Sequence, residues 1–256
     1  MLERDAQLHE LTTAVGSAVA QGRYVNAAGG AFRSGRLADA DKYVAEGLRI
    51  AADGEFFAGQ YRLRLTGAAV RASKGDWDRA VADLRELVGT PGEPAVMGAL
   101  ARSTLARLLA RTGDAEARDV FAAALGDLAA DDSIVAGPLA VAQVEMAWLD
   151  GSPADMTDEI RRALDLAEEA GHRSIQAELC AYLRRAGIEL AGPVDAPGPW
   201  APTLDGRWEE AATAWATLGD RYEQAVVLAT APDHRAHTQG LAMLRELGAV
   251  ATVRAV

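Results

Sequence analysis

A short motif that starts with glycine and ends on alanine recurs along this chain, at residues 35–40, 75–80, 113–117 and 206–211. The first three copies begin at Gly35, Gly75 and Gly113, which are 40 and 38 residues apart, and Gly151 follows after another 38 residues. Repeats of this length are typical of stacked helical hairpins, in which a glycine ends one helix and a small alanine lets the next helix pack closely. We therefore predict a helical repeat protein, a class that binds and presents other molecules.

The composition favours helix almost everywhere. Half of the 256 residues are apolar, only 5% are aromatic, and no runs of alternating β-branched residues occur. Alanine and leucine dominate, and both are strong helix formers. The predicted fold class is all-α, in a chain long enough to bury a sizeable core.

Proline and glycine divide the chain into three parts. Residues 1–191 are predicted to form helical repeats, of which the first hairpin joins a helix at 2–20 to one at 24–33. Residues 192–205 are a Pro/Gly-rich linker, because four prolines and two glycines occur between positions 192 and 202. Residues 206–256 restart the motif and are predicted to be a helical cap on the same solenoid, with a separate small domain as the alternative.

Charge and cysteine content exclude several classes of protein. The net charge of −11 opposes direct binding to nucleic acid, which requires a basic surface. The single cysteine, Cys180, stands in an apolar helical context and is predicted to be buried and structural. We find no signal peptide and no apolar run of the roughly 20 residues that a membrane span needs, so we expect a cytoplasmic protein without a membrane partner.

No arrangement of residues indicates catalysis or a cofactor. His234 and His237 are three residues apart, but Asp233 is the only carboxylate nearby, and two histidines alone bind zinc weakly. We find no nucleophile with a positioned base and no paired carboxylates. The sequence therefore predicts no catalytic residue, no metal site and no cofactor.

Two segments carry a resemblance to a known family. Residues 206–225 read GRWEEAATAWATLGDRYEQA, and residues 244–249 read LRELGA. Together with GDWDRA at 75–80, they resemble the tetratricopeptide-like region of large ATP-dependent LuxR-family transcriptional regulators. The resemblance implies a right-handed superhelix, or α-solenoid, of antiparallel helix pairs, in a bacterial protein whose repeats receive an inducer.

Other parts of that family's architecture do not occur in this sequence. The family has an ATPase domain before the repeats and a helix-turn-helix after them, but no G-x-x-x-x-G-K-[ST] motif is present and the sequence ends at Val256. We therefore expect neither ATP hydrolysis nor direct DNA binding from this chain. It would be either a stand-alone relative of the family or the excised central region of a family member.

A solenoid of this kind has a groove lined by the first helix of each pair. Counting back from the glycines along one helix face selects Arg62, Arg107, Glu145 and Trp148 as the informative groove residues. Arginine can bind carboxylate or phosphate, and tryptophan offers a flat apolar surface. The alternative is that these side chains form salt bridges and packing contacts between repeats.

Two functions follow from this pattern. The first is a non-catalytic module of a LuxR-type regulator, in which a small-molecule inducer or a partner protein or peptide binds the groove. The alternative is a stand-alone tetratricopeptide scaffold for protein-protein interaction. An exposed groove or an uncapped terminal repeat would also allow a homodimer.

Overall fold

A computed structural model describes residues 2–51, 57–126, 133–152, 157–190, 192–193 and 195–256. The regular structure in these ranges is helical, which confirms the predicted all-α class. The helices are α1 (Leu2–Arg33), α2 (Leu37–Ala51), α3 (Phe57–Lys74), α4 (Trp77–Val88), α5 (Ala95–Thr112), α6 (Ala117–Leu125), α7 (Ser133–Leu149), α8 (Asp158–Glu169), α9 (Arg173–Arg185), α10 (Trp200–Leu204), α11 (Trp208–Leu218), α12 (Arg221–Ala229), α13 (His234–Glu246) and α14 (Val250–Ala255).

The first nine helices form two rows. Helices α1, α3, α5, α7 and α9 contact one another in chain order, and we call them the first row. Each of α2, α4, α6 and α8, the second row, lies against the first-row helix before it and the one after it. Each helix pair therefore contacts the next pair along the chain.

Side-chain contacts recur at about one repeat length. Ion pairs join Lys74 to Asp41, Arg85 to Glu116 and Arg118 to Asp150, which are 33, 31 and 32 residues apart. Within the first row, the Ser103 hydroxyl donates to the Pro138 carbonyl oxygen, 35 residues along the chain. These contacts therefore recur at separations of 31 to 35 residues, somewhat shorter than the 38 to 40 residues between the repeated glycines.

The repeated glycines end helices, as predicted. Gly35, Gly75, Gly113, Gly151 and Gly206 have φ between +66° and +87°. Residues with a Cβ rarely adopt this left-handed conformation, which reverses the chain and lets its amides bond to the last carbonyls of the helix. The motif starts with glycine because the turn between helices requires it.

The predicted first hairpin is wrong, because α1 continues without a break from Leu2 to Arg33. Gly22 lies inside this helix, where a glycine costs only about 1 kcal/mol. The residues after it, Val25 and Ala28, are buried against Val44 of α2 and Leu63 of α3. Continuing the helix buries this apolar face, and the gain outweighs the cost of one glycine.

The region around the predicted linker also differs in detail. Helix α9 was expected to reach Leu190 but ends at Arg185, because the backbone turns at Gly187 with φ +87°. The 192–205 segment contains the short helix α10, in which Pro202 occupies the first turn. First-turn amides have no acceptor inside the helix, so proline loses no hydrogen bond there.

The carboxyl-terminal helices turn back onto the first row. Helix α12 contacts α3, and α14 contacts α5 and α7. The apolar core is continuous across this contact, from Tyr61 in α3 to Ala251 in α14. Among the described helices, none is both long enough and apolar enough to span a membrane.

The closest helix contact in the carboxyl-terminal region depends on Gly240 of α13. A Cβ at this position would overlap the backbone nitrogen of Ala229 and lie 2.7 Å from the carbonyl oxygen of Ala225, both in α12. Backbone atoms cannot move aside without separating the two helices. Gly22 in α1 is the matched control, because a Cβ there would meet nothing within 4 Å.

We expect Gly240→Ala to lower the free energy of unfolding by at least about 2 kcal/mol, because α12 and α13 must move apart. Gly22→Ala should be neutral or should raise it by up to about 1 kcal/mol through helix propensity. Urea unfolding followed by circular dichroism measures both values. A Gly240→Ala protein within about 0.5 kcal/mol of the wild type would contradict the packing described here.

Candidate functional site

The structure brings three of the four predicted groove residues together. Arg107 of α5, Glu145 of α7 and Trp148 of α7 lie in one buried cluster near the carboxyl ends of the first-row helices. Arg62 of α3 is exposed and forms no part of this cluster. The cluster is the most elaborate polar arrangement in the described part of the chain, and we treat it as the candidate site.

Glu145 is the centre of the cluster, with a fully buried side chain. Its Oε1 accepts a hydrogen bond from Nε of Arg111 at 2.6 Å, and its Oε2 accepts one from Nε of Arg107. Both arginines belong to α5, one helical turn apart, so they reach the same carboxylate from one face. Arg107 also forms an ion pair at 2.8 Å with Glu178 of α9.

Tyr182 of α9 connects this centre to the carboxyl-terminal helices. Its hydroxyl lies 3.3 Å from Oε1 of Glu145 and 2.6 Å from Oε1 of Glu223 in α12. Glu223 also accepts a 2.6 Å hydrogen bond from Arg185 of α9. A continuous polar network therefore runs from α5 through α7 and α9 to α12.

Aromatic rings surround the arginines. The guanidinium carbon of Arg111 lies 3.8 Å from the ring centre of Tyr222, and the Tyr222 ring packs at 5.7 Å against Trp77. The guanidinium of Arg185 lies 4.6 Å from the ring centre of Tyr182. Cation-π contact with these ring faces stabilises positive charges that burial has removed from water.

Sequence reasoning missed five members of the polar network: Arg111, Glu178, Tyr182, Arg185 and Glu223. The missed arginines share one signal, because Arg111 and Arg185 each lie two residues before a glycine with positive φ, Gly113 and Gly187. The prediction extended α9 past Gly187 and so did not count back from it. No comparable pattern distinguishes Glu223, which lies in a helix outside the first row.

The charges of the network balance. Arg107, Arg111 and Arg185 face Glu145, Glu178 and Glu223, so the six groups carry no net charge. Among the described residues, the one buried side-chain nitrogen or oxygen without a partner is Nε2 of Gln21, which lies outside this cluster. The contacts of Arg107, Glu145 and Trp148 are thus ion pairs and packing between repeats, the alternative that the sequence left open.

The ion pairs make stability depend on pH. Burial alone would raise the pKa of Glu145, but the charges of Arg107 and Arg111 and their hydrogen bonds hold it at about 2, below its ordinary value of 4.5. Burial alone would also raise the pKa of Glu223, but the charge of Arg185 and its hydrogen bond lower it below the ordinary value. Because these pKa values are lower in the folded state, the stabilisation is present above pH 4.5 and is lost as the pH falls below that value.

Asp220, which caps α12 by accepting a 3.1 Å bond from the Glu223 amide, has the opposite pH dependence. Burial and the neighbouring charge of Glu223 raise its pKa to about 6 from an ordinary value of 3.8. A folded state that holds the proton more tightly is favoured at low pH. The contribution of Asp220 to the free energy of unfolding is therefore lost as the pH rises from 3.8 through about 6.

The described surface also contains an open, shallow depression between α11, α12 and α13. Its lining includes Trp208, Glu209, Thr213, Gln224 and Gln239. Trp208 is only partly buried, and amide and carboxylate groups stand beside it. This depression therefore presents a partly buried aromatic side chain and polar groups at the last copy of the motif.

Metal binding finds no support in the described residues, which contain no cluster of three or more His, Cys, Asp or Glu side chains suited to a metal ion. The predicted burial of Cys180 is confirmed, and burial raises the pKa of its thiol.

Comparisons with protein-family models, with curated proteins and with solved structures found no match to this chain.

The cluster is expected to make Glu145 indispensable to stability. Glu145→Gln should lower the free energy of unfolding at pH 7 by roughly 2–4 kcal/mol, because Arg107 and Arg111 would share a buried site without a full countercharge. Glu209→Gln makes the same chemical change at an exposed position, and its free energy of unfolding should stay within about 0.5 kcal/mol of the wild-type value. Urea unfolding compares the three proteins, and equal losses for both variants would refute the role of the cluster.

Proposed function

We propose that this chain is a non-catalytic helical-repeat module that binds a small-molecule inducer or a partner protein within a regulator similar to the LuxR family. The resemblance of residues 206–225 and 244–249 suggests the family. The observation that carries the proposal is the first row, in which five helices contact one another in chain order and a buried polar network joins three of them, α5, α7 and α9. Stacks of this kind offer an extended surface to which each repeat contributes side chains.

The charge balance of the cluster supports a module that binds a ligand or partner and does not catalyse a reaction. Catalytic acids and bases need reactive groups that can reach a substrate. Glu145 and Tyr182 are fully buried and bonded to other protein groups, so their polar atoms stabilise the fold. Within the proposal, binding uses the exposed parts of the same helices, which the buried network holds at a fixed spacing.

Arg62 is the predicted groove residue best placed to meet a ligand. It lies in α3 of the first row and is exposed, while its neighbours Tyr61 and Leu63 are buried in the core. The backbone under it is therefore well fixed. A guanidinium on a rigid helix can bind a carboxylate or phosphate at little cost in entropy.

The second candidate function is a scaffold that holds a partner protein without responding to a small molecule. The observation that favours it is that Glu145 and Trp148 are buried and Arg107 is mostly covered by its internal ion pairs, which leaves these side chains little surface for a small molecule. A scaffold needs only a stable exposed face. The two functions differ in whether a small molecule or a protein binds.

The first function predicts stabilisation of the purified chain by a small molecule. Thermal unfolding with pools of anionic and neutral metabolites should show a saturable rise of several degrees in melting temperature, since binding to the folded state alone stabilises it. Arg62→Ala should reduce this rise and leave the melting temperature of the free protein unchanged. Arg79→Ala, at an exposed position of α4 in the second row, is the control and should bind normally.

If no small molecule raises the melting temperature, and if a partner protein binds the wild type but not Arg62→Ala, the second function, the scaffold, replaces the first. A ligand whose effect survives Arg62→Ala would place binding elsewhere, for example at the depression beside Trp208. Absence of both kinds of binding would contradict the proposed function as a whole.

A further inference from the structure

The last five helices, α10 to α14, pack as one group against the turns that follow the first-row helices, and we call this group the C-terminal unit. The turn glycines provide the contact surface. Leu218 fills the space where a side chain at Gly35 would stand, and Leu247 does the same at Gly75. Gly113 faces Arg254 and Ala251 in the same way. The unit thus lies along the row of turns rather than only after the last repeat.

The chain connection to this unit is not helical. Between the end of α9 at Arg185 and the start of α10 at Trp200, the described residues contain no helix, and Gly187 and Gly198 have positive φ. Arg184 fixes part of this connection by donating to the carbonyl oxygens of Leu190 and Leu204. A segment of this composition can change direction without breaking a helix.

The first turn of α12 supplies aromatic and ionic contacts between the unit and the repeats. Tyr222 packs against Trp77 and the guanidinium of Arg111, and within the unit its hydroxyl is 3.1 Å from that of Thr252 in α14. The next residue, Glu223, binds Arg185 and Tyr182 at 2.6 Å each. Two adjacent side chains therefore hold the unit on the carboxyl ends of α5 and α9.

The contact combines apolar packing, for example by Leu247 and Tyr222, with buried charges, and the charges lower the cost of separating it. Arg185 and Glu223 lost their hydration when the unit docked, and they regain it when the unit leaves. Separating charged groups of this kind therefore costs less than separating an apolar surface of equal area. Removing one charge penalises the docked state, where the other charge is unpaired, and spares the open state, where water solvates it.

We propose that the C-terminal unit is an autoinhibitory latch, which docks on the first row through Tyr222 and Glu223 and is released as a unit. Release exposes Arg111, Arg185 and Tyr182, the groups that surround the predicted groove residues Glu145 and Trp148. This inference rests on the proposed function and adds its regulation: a ligand or partner that binds the exposed surface of the first row and also contacts Arg111 or Arg185 favours the released state and shifts the population towards it.

Hydrogen exchange of the full chain, read by mass spectrometry at pH 7 in low urea, tests the latch without any ligand. In the wild type, the exchange rates of amides in α11, α12 and α13 should depend less on urea concentration than those of amides in α3 to α5, because the former exchange through release of the unit. Glu223→Gln should speed exchange in α11 to α13 at least tenfold and leave α3 to α5 within twofold. The control, Glu209→Gln, should change neither group.

Equal acceleration of all helices by Glu223→Gln would overturn the latch, because the contact would then be an ordinary part of the core. Acceleration confined to α12 would overturn it as well, since that is local fraying rather than release of the unit. If Glu223→Gln does not fold, the wild type decides alone: equal urea dependence in both groups of helices refutes the latch. Because no ligand is used, this result is independent of whether the metabolite or partner tests succeed.

Discussion

The carboxylate of Glu145, bound between two arginines of the preceding first-row helix, is the interaction on which the rest of the structure depends. Through Arg107 and Arg111 it joins α7 to α5, and through Tyr182 it joins both to α9 and then to Glu223 of α12. Buried charges are costly to bring together and more costly to leave unpaired. A network with three positive and three negative groups therefore favours the arrangement in which α5, α7 and α9 keep their places, and Glu223 extends it to α12 while the C-terminal unit is docked.

The network explains how a chain rich in alanine acquires a defined register. Alanine-lined helices pack closely but slide easily, because small apolar side chains distinguish one register from another only weakly. Directional bonds to a single carboxylate remove that freedom at α5, α7 and α9. Outside the cluster, exposed ion pairs such as Arg85 with Glu116 also join successive repeats, but water makes each of them weak.

Much of the fold could be predicted because the repeat is local. Gly35, Gly75, Gly113 and Gly151 end helices for a reason visible in the sequence, the need for a positive φ at a turn. The break predicted near Gly22 failed because tertiary packing of Val25 and Ala28 outweighs a local preference. The site was predicted in part, because counting back from the glycines finds Arg107 on α5 and Glu145 and Trp148 on α7. Their partner Tyr182 lies on α9, whose end was misplaced, and Glu223 lies on α12, whose position depends on how the C-terminal unit folds back. That contact is not local, and no periodic signal in the sequence encodes it.

The central claim is that buried ion pairs couple the C-terminal unit to the repeats. A double-mutant cycle on Arg185→Ala and Glu223→Ala, measured by urea unfolding at pH 7, tests it most directly. The two residues share a 2.6 Å bond across the contact. We predict that each single change is strongly destabilising and that the coupling free energy between them is at least about 2 kcal/mol. Additive losses, with a coupling below about 0.5 kcal/mol, would contradict the claim.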